Sequence, residues 1–316
     1  MDDRAPLEDA GTFMGIPASR DLSNSRAAVL GIPFDCGTHP TRIGSRLGPQ
    51  AIRQHSGLVR RYEPPFRDYD PLARLSLVDC GNVRVRPSVV AEAFENIEAA
   101  VWEIVQSGAV PVTMGGDGAV TLPQLRALHR RHPNLAVLHI DAHTDTYPGE
   151  GDSKFTSATT FTRAAEEGVV DARNSIHLGA RGPVALPGLF EYTRNWGYEL
   201  IPGVELESVG IPATLAHIRQ RLAGRPVYLC FDMDVFDPSV APGVATPTWG
   251  GFSAKEGLAI LEGLAELDFV AFDVNTLSPP HDSAGMTAFL AGTVILKCLQ
   301  LACARLDREH SNQFAR

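Results

Sequence analysis

No stretch of about 18 uninterrupted apolar residues occurs in this 316-residue chain, so none of it is expected to span a membrane. Its opening residues, Met1-Asp2-Asp3-Arg4, lack the basic-then-apolar pattern of a secretory leader. Cysteine is scarce: Cys36, Cys80, Cys230, Cys298 and Cys303 are odd in number and never form a Cys-x-x-Cys pair. That spacing argues against a disulfide framework, a zinc finger and a redox dithiol. Also missing are a Gly-x-Ser-x-Gly elbow, a phosphate-binding P-loop and a Gly-x-Gly-x-x-Gly fingerprint after a strand. A net charge of −9 weighs against nucleic acid and anionic membrane as partners. The one basic run, residues 126–132, falls at the end of an expected helix, where it suits the negative end of the macrodipole. A soluble, cytoplasmic protein is therefore expected.

With 44% hydrophobic residues the chain has ample material for a large core. Apolar, strand-like runs at residues 27–32, 75–78, 110–114, 135–140, 175–179, 227–231 and 269–274 alternate with helical stretches. The helices are expected at 89–107, 122–132, 157–167, 213–222 and 255–267. Strands without a polar face, alternating with helices, predict an α/β protein with a mostly parallel sheet covered on both sides. No repeat or long linker interrupts the pattern, so residues 1–316 are expected to form a single domain. Residues 1–25 would be an extension packed on it or on a neighbouring subunit.

Two short segments carry the chemistry, Asp141-Ala142-His143-Thr144-Asp145 and Asp232-Met233-Asp234. Each follows an apolar run. If strand geometry continues through them, alternation puts Asp141, His143 and Asp145 on one side, and likewise Asp232 with Asp234. Ligands of parallel sheets bind beyond the carboxyl ends of the strands, where Gly115–Gly118 and Asn275–Asp282 also fall. Four carboxylates and an imidazole gathered there need cations among them. Hard oxygen ligands with one imidazole favour Mn²⁺, with Fe, Co, Ni or Zn as substitutes. Five ligands suit two ions sharing carboxylates, and such a pair activates water for hydrolysis.

The motifs Asp141-Ala142-His143-Thr144-Asp145 and Phe231-Asp232-Met233-Asp234-Val235-Phe236-Asp237-Pro238 resemble those of the ureohydrolase family, in its agmatinase-like branch. The likeness extends through Thr12-Phe13-Met14-Gly15-Ile16-Pro17, Gly31-Ile32-Pro33-Phe34-Asp35, Leu47-Gly48-Pro49-Gln50-Ala51-Ile52-Arg53, residues 241–247 and Phe272-Asp273-Val274. It implies a three-layer α/β/α fold with a central eight-stranded, mostly parallel sheet, assembled as homo-oligomeric trimers or hexamers. It also implies dimanganese hydrolysis of a guanidino compound to urea and an amine. Carried over, Asp141 and Asp232 would bridge the ions, His143 and Asp234 would serve one, and Asp145 the other. Asp145 would also hydrogen-bond the activated water and move its proton. His139 is expected to pack beside the ligands.

Several positions depart from the family pattern. Gly118 stands where the resemblance implies a metal-binding histidine, Ser157 where it implies a histidine at the pocket mouth, and Thr276 where it implies a glutamate for the guanidinium. Val244-Ala245 replaces a small Thr-Gly pair. One ion would keep Asp141, His143, Asp232 and Asp234, while the other, with Asp141, Asp145 and Asp232, would be held weakly. Losing one partner of a buried charged pair costs ~2–5 kcal/mol, so an altered substrate is expected at Thr276 and Ser157. His39 and His281 are candidates to compensate. Arg42 and Arg46 are candidates to meet an acidic substrate, cap a helix or contact a neighbouring subunit. The expected activity is metal-dependent amidinohydrolysis with a changed pocket. Hydrolysis of a non-guanidine C–N bond, or a silent member with an assembly or regulatory role, stay open as alternatives.

Overall fold

Strands that are apolar on both faces need cover on both faces. The computed structural model, which describes residues 11–314 except 37, 38, 40, 66, 87, 150, 152 and 153, supplies it. The strands are β1 (Ala27–Gly31), β2 (Val78–Asn82), β3 (Val110–Met114), β4 (Ala136–Ile140), β5 (Ile176–Leu178), β6 (Glu199–Ile201), β7 (Pro226–Asp232) and β8 (Asp268–Asn275). They form one sheet in the order β2-β1-β3-β8-β7-β4-β5-β6, with every neighbouring pair parallel. Alternate residues enter two separate cores. Ala27, Val29, Leu138, Ile140, Leu229 and Phe231 pack on one side, beneath helices Gly48–His55, Ile211–Leu222, Ala254–Glu262 and Met286–Phe314. Ala28, Leu30, Val137, Tyr228 and Cys230 pack on the other, beneath Val90–Ser107, Thr121–His129 and Thr160–Glu166. This is the expected three-layer α/β/α arrangement.

The differences from expectation have local causes. Leu75 and Leu77 belong to the core behind the short helix Pro71–Arg74, and β2 starts only at Val78. β6 has three residues at the sheet edge, too few to show as an apolar run. No uninterrupted apolar run of membrane length occurs, but the C-terminal helix segment Met286–Arg308 is long and apolar enough, by length and composition, to cross a bilayer. Most of that segment is buried inside the fold, against β8 and the helix Gly48–His55, as the core helix of a large sheet. The described part of the N-terminal extension packs on its own chain, whereas residues 1–10 lie outside the described residues. Phe13 and Met14 are buried, the Phe13 amide donates to Asp79 Oδ2 at 3.0 Å, and the Met14 amide donates to Ser56 Oγ at 2.7 Å.

Strand order is what assembles the site. β3, β8, β7 and β4 are consecutive neighbours, so four loops distant in sequence leave the same edge side by side. Ile140 pairs with Phe231 and Asp232 with Asn275. Asp141 and Asp232 are therefore each one step beyond the Ile140–Phe231 pair on adjacent strands.

Asp79, which ties down the N-terminal segment, is held by the buried Arg53 through two 2.8 Å bonds. Replacing Arg53 with Leu would leave that buried carboxylate unpaired. Urea unfolding is expected to show a loss of about 3–5 kcal/mol, and a loss below about 1 kcal/mol would contradict this packing.

Candidate metal centre

The aspartate motifs converge through turns rather than through continued strand alternation. β4 ends at Ile140, and a short 3₁₀ turn, Met233–Val235, follows β7. Each leading aspartate spends one oxygen on its own turn. Asp141 Oδ1 accepts the His143 amide at 2.7 Å, and Asp232 Oδ1 accepts the Asp234 amide at 2.8 Å. The Asp-x-His and Asp-x-Asp spacings thus have a local reason, and the second oxygen of each aspartate is left for other work. Asp145 and Thr276 have φ of +50° and +67°, left-handed values that side chains rarely adopt and that a functional position can retain.

His143 Nδ1 lies 3.2 Å from both Asp141 Oδ1 and Asp234 Oδ2, while Nε2 faces Thr248 Oγ1 at 3.2 Å. Two sets of donor atoms close enough to share an ion share Asp141: Asp141, His143 and Asp234, and His139, Asp141 and Asp145. Asp232 lines the same pocket but stands outside both sets, its Oδ2 taking the Thr276 hydroxyl. His139 is fixed from behind. Its Nδ1 shares a hydrogen bond with His177 Nδ1 at 2.8 Å, and its ring lies 4.4 Å from that of Phe161. His177 was not foreseen in the sequence, although a histidine in the apolar run Ile176-His177-Leu178, in register with His139, is a detectable signal.

The charges conflict strongly. Burial, then the neighbouring carboxylates, holds Asp145 and Asp232 well above the usual carboxylate range. Burial and Asp141 push Asp234 up to about 7. Burial opposes ionisation of His143, but Asp234 and Asp141 outweigh it and raise the imidazole well above its ordinary value. Asp141 moves the other way: burial would raise it, yet His139 and His143 hold it well below. Its Oδ2 is buried with His139 Nε2 2.8 Å away. A buried carboxylate at the junction of two donor sets, with imidazoles rather than fixed cations against it, fits a divalent cation.

The departures cluster here as well. A Cβ placed on Gly118 would meet Asp145 Oδ2 at 3.0 Å and Ser157 Cβ at 3.5 Å, so the two positions where the resemblance implies histidines face each other beside Asp145. Gly118, Ser157, Thr276 and His39 line one cleft with His143, Asp145, Asp232 and Asp234, about 450 Å³ counted to its open mouth. His281 does not line it. Its Nδ1 pairs with Ser278 Oγ at 2.8 Å, and burial followed by Arg42 lowers its pKa. Asp117 was also missed. It lines the cleft, burial pushes it up to about 6, and the Cys36 amide and thiol donate to it at 2.7 and 2.8 Å.

A parallel α/β/α sheet with an aspartate–histidine cluster on its carboxyl edge is the architecture of ureohydrolases. The chain belongs to the arginase family, whose profile matches residues 25–300. It is 37% identical over 291 residues to guanidinopropionase of Pseudomonas aeruginosa, covering 92% of this chain and 91% of that one. It is 33% identical over 288 residues to the mitochondrial agmatinase of Gallus gallus, covering 91% of this chain and 84% of that one. The solved structure of proclavaminate amidino hydrolase from Streptomyces clavuligerus superposes with a TM-score of 0.89 at 32% identity, covering 93% of this chain and 97% of that one. The chain is a hydrolase acting on C–N bonds of linear guanidino compounds.

Because folding raises Asp145, Asp232 and Asp234 above the ~3.9 of an unfolded aspartate, the folded metal-free chain binds the extra protons. Their stabilising contribution is complete below about pH 4 and is lost as pH rises through the folded values, to about 7 for Asp234. A divalent cation replaces those protons. The rise in melting midpoint on adding Mn²⁺ is therefore expected to grow between about pH 5.5 and about pH 7.5; a rise that is flat or shrinks over that range would contradict the assignment.

Proposed function

We propose that this chain is a manganese-dependent amidinohydrolase with an altered substrate pocket, releasing urea and an amine from a small linear guanidino compound. The observation that carries the reading is Asp141, shared by two donor sets, its buried Oδ2 facing the His139 imidazole at 2.8 Å. Asp141, His143, Asp145, Asp232 and Asp234 are the residues to hold one or two ions, and oxygen donors with one imidazole suit Mn²⁺. Such ions supply the Lewis acidity that makes water nucleophilic near neutral pH. The side chains then perform the remaining steps. Water adds to the guanidino carbon, Asp145 accepts its proton, and the same carboxyl protonates the departing nitrogen as the C–N bond breaks. His139, pinned by His177, keeps Asp141 in place.

The altered pocket rests on three positions. Gly118 offers no donor beside Asp145, which favours one firmly held ion and one loosely held. Ser157 stands opposite it. Thr276 places a hydroxyl, engaged with Asp232 and with Asn275 Oδ1 at 3.0 Å, where the resemblance implies a glutamate. A cytoplasmic homo-oligomer, trimer or hexamer, is part of the same proposal.

Elemental analysis of protein purified without chelator, paired with urea release from agmatine, 3-guanidinopropionate and 4-guanidinobutyrate, tests it. One or two ions per chain and urea from at least one compound are expected. Asp145→Asn is expected to lower kcat by about 10²–10⁴-fold while retaining fold. Near-zero metal with no urea released would overturn the proposal.

A further inference from the structure

The first loop carries two arginines, and the structure gives them different states. Arg46 is neutralised: its Nε donates to Asp35 Oδ2 at 2.9 Å and its Nη2 to Asp35 Oδ1. Arg42 is not. Its Nε donates to the Val244 carbonyl at 3.0 Å, and its Nη2 to the carbonyls of Pro242 and Val244 at 2.8 and 2.7 Å. Among the described residues no carboxylate lies within ion-pair distance of Arg42, and its Nη1 makes no hydrogen bond. The neighbouring titratable groups are the imidazoles of His39, whose Nδ1 accepts the Arg42 amide at 2.9 Å, and His281. Neither imidazole can balance a cation.

Arg42 nevertheless lines the same cleft as Asp145, Asp232 and Asp234. We infer that Arg42 is the specificity residue that binds a carboxylate at the far end of the substrate, so that this site takes short guanidino acids in preference to guanidino amines. The inference rests on the amidinohydrolase reading and refines it. The cleft is polarised. Its inner end holds the acidic cluster, matched by divalent cations and the guanidino group. Its outer end holds one fixed cation with only carbonyl dipoles against it. A ligand positive at one end and negative at the other meets both, whereas agmatine brings a second cation toward Arg42. The backbone carbonyls hold the guanidinium in place before the ligand arrives, so little ordering is needed on binding.

The test compares 4-guanidinobutyrate with butylguanidine, which shares the reacting group but has no charged tail. In Arg42→Gln, the ratio of kcat/KM for the acid to that for butylguanidine is expected to fall by at least about 30-fold, mainly through KM of the acid. Arg42→Lys is expected to recover part of it, and Arg42→Glu to turn the preference toward agmatine. If both substrates decline in parallel and the ratio holds, Arg42 only straps the loop 242–245 and the inference is overturned. If wild-type protein hydrolyses no guanidino compound, the amidinohydrolase reading fails on its own. Calorimetric binding of the same two compounds to wild type and Arg42→Gln then decides the inference: selective loss of acid binding supports it, and an unchanged binding ratio ends it.

Discussion

Mutual repulsion among buried carboxylates is the constraint on which this structure turns. Asp141, Asp145, Asp232 and Asp234 sit at the ends of adjacent strands, all essentially withdrawn from water. Left to themselves they retain protons, as the raised values of Asp145, Asp232 and Asp234 show, or borrow charge from His139 and His143, as Asp141 does. A protein keeps such an arrangement only where a ligand of opposite charge offsets it. The central sheet supplies the rigidity that the arrangement requires. β4 and β7 are paired along five positions and packed on both faces, so the acids cannot move apart to relieve the strain.

Behind the acids the support is built in layers. Asp141 leans on His139, His139 on His177, and His177 on the rings of Phe161 and Tyr198. On the β8 side, buried Asp273 collects the hydroxyls of Thr113 and Thr121 and the amide of Asn275, and Asn275 in turn meets Thr276. These contacts link the core to the pocket wall, so the geometry of the donors depends on packing well away from them. The outer rim is organised differently, by side-chain bonds to backbone carbonyls. Arg42 fastens the first loop to the segment 242–244, and Arg181 fastens β5's following loop to the carbonyls of Asp234 and Thr248.

Much of this was legible in the chain because parallel strands buried on both faces leave continuous apolar runs. Two acidic motifs placed directly after such runs bring negative charge to a site that cations must balance. The layered fold and the edge on which the motifs fall followed from that pattern. The mode of convergence did not: strand alternation was the expected device, and turns capped by Asp141 and Asp232 are the actual one. β6 escaped because three residues carry no period, and the C-terminal helix because its apolar positions are interrupted by Thr293, Lys297 and Gln300, of which Lys297 and Gln300 are buried and donate to Glu63. Arg42 and Arg46 could not be told apart in sequence. Their difference lies in partners 11 and about 200 positions away, Asp35 for one and the carbonyls of Pro242 and Val244 for the other.

Occupation of the Asp141 cluster by divalent cations is the central claim. Anomalous scattering from crystals grown with Mn²⁺ near pH 7.5 measures this directly. A strong peak among Asp141, His143 and Asp234 is expected, with a second and weaker one on the Asp145 side. Crystals that show the five side chains together around no anomalous density would contradict it.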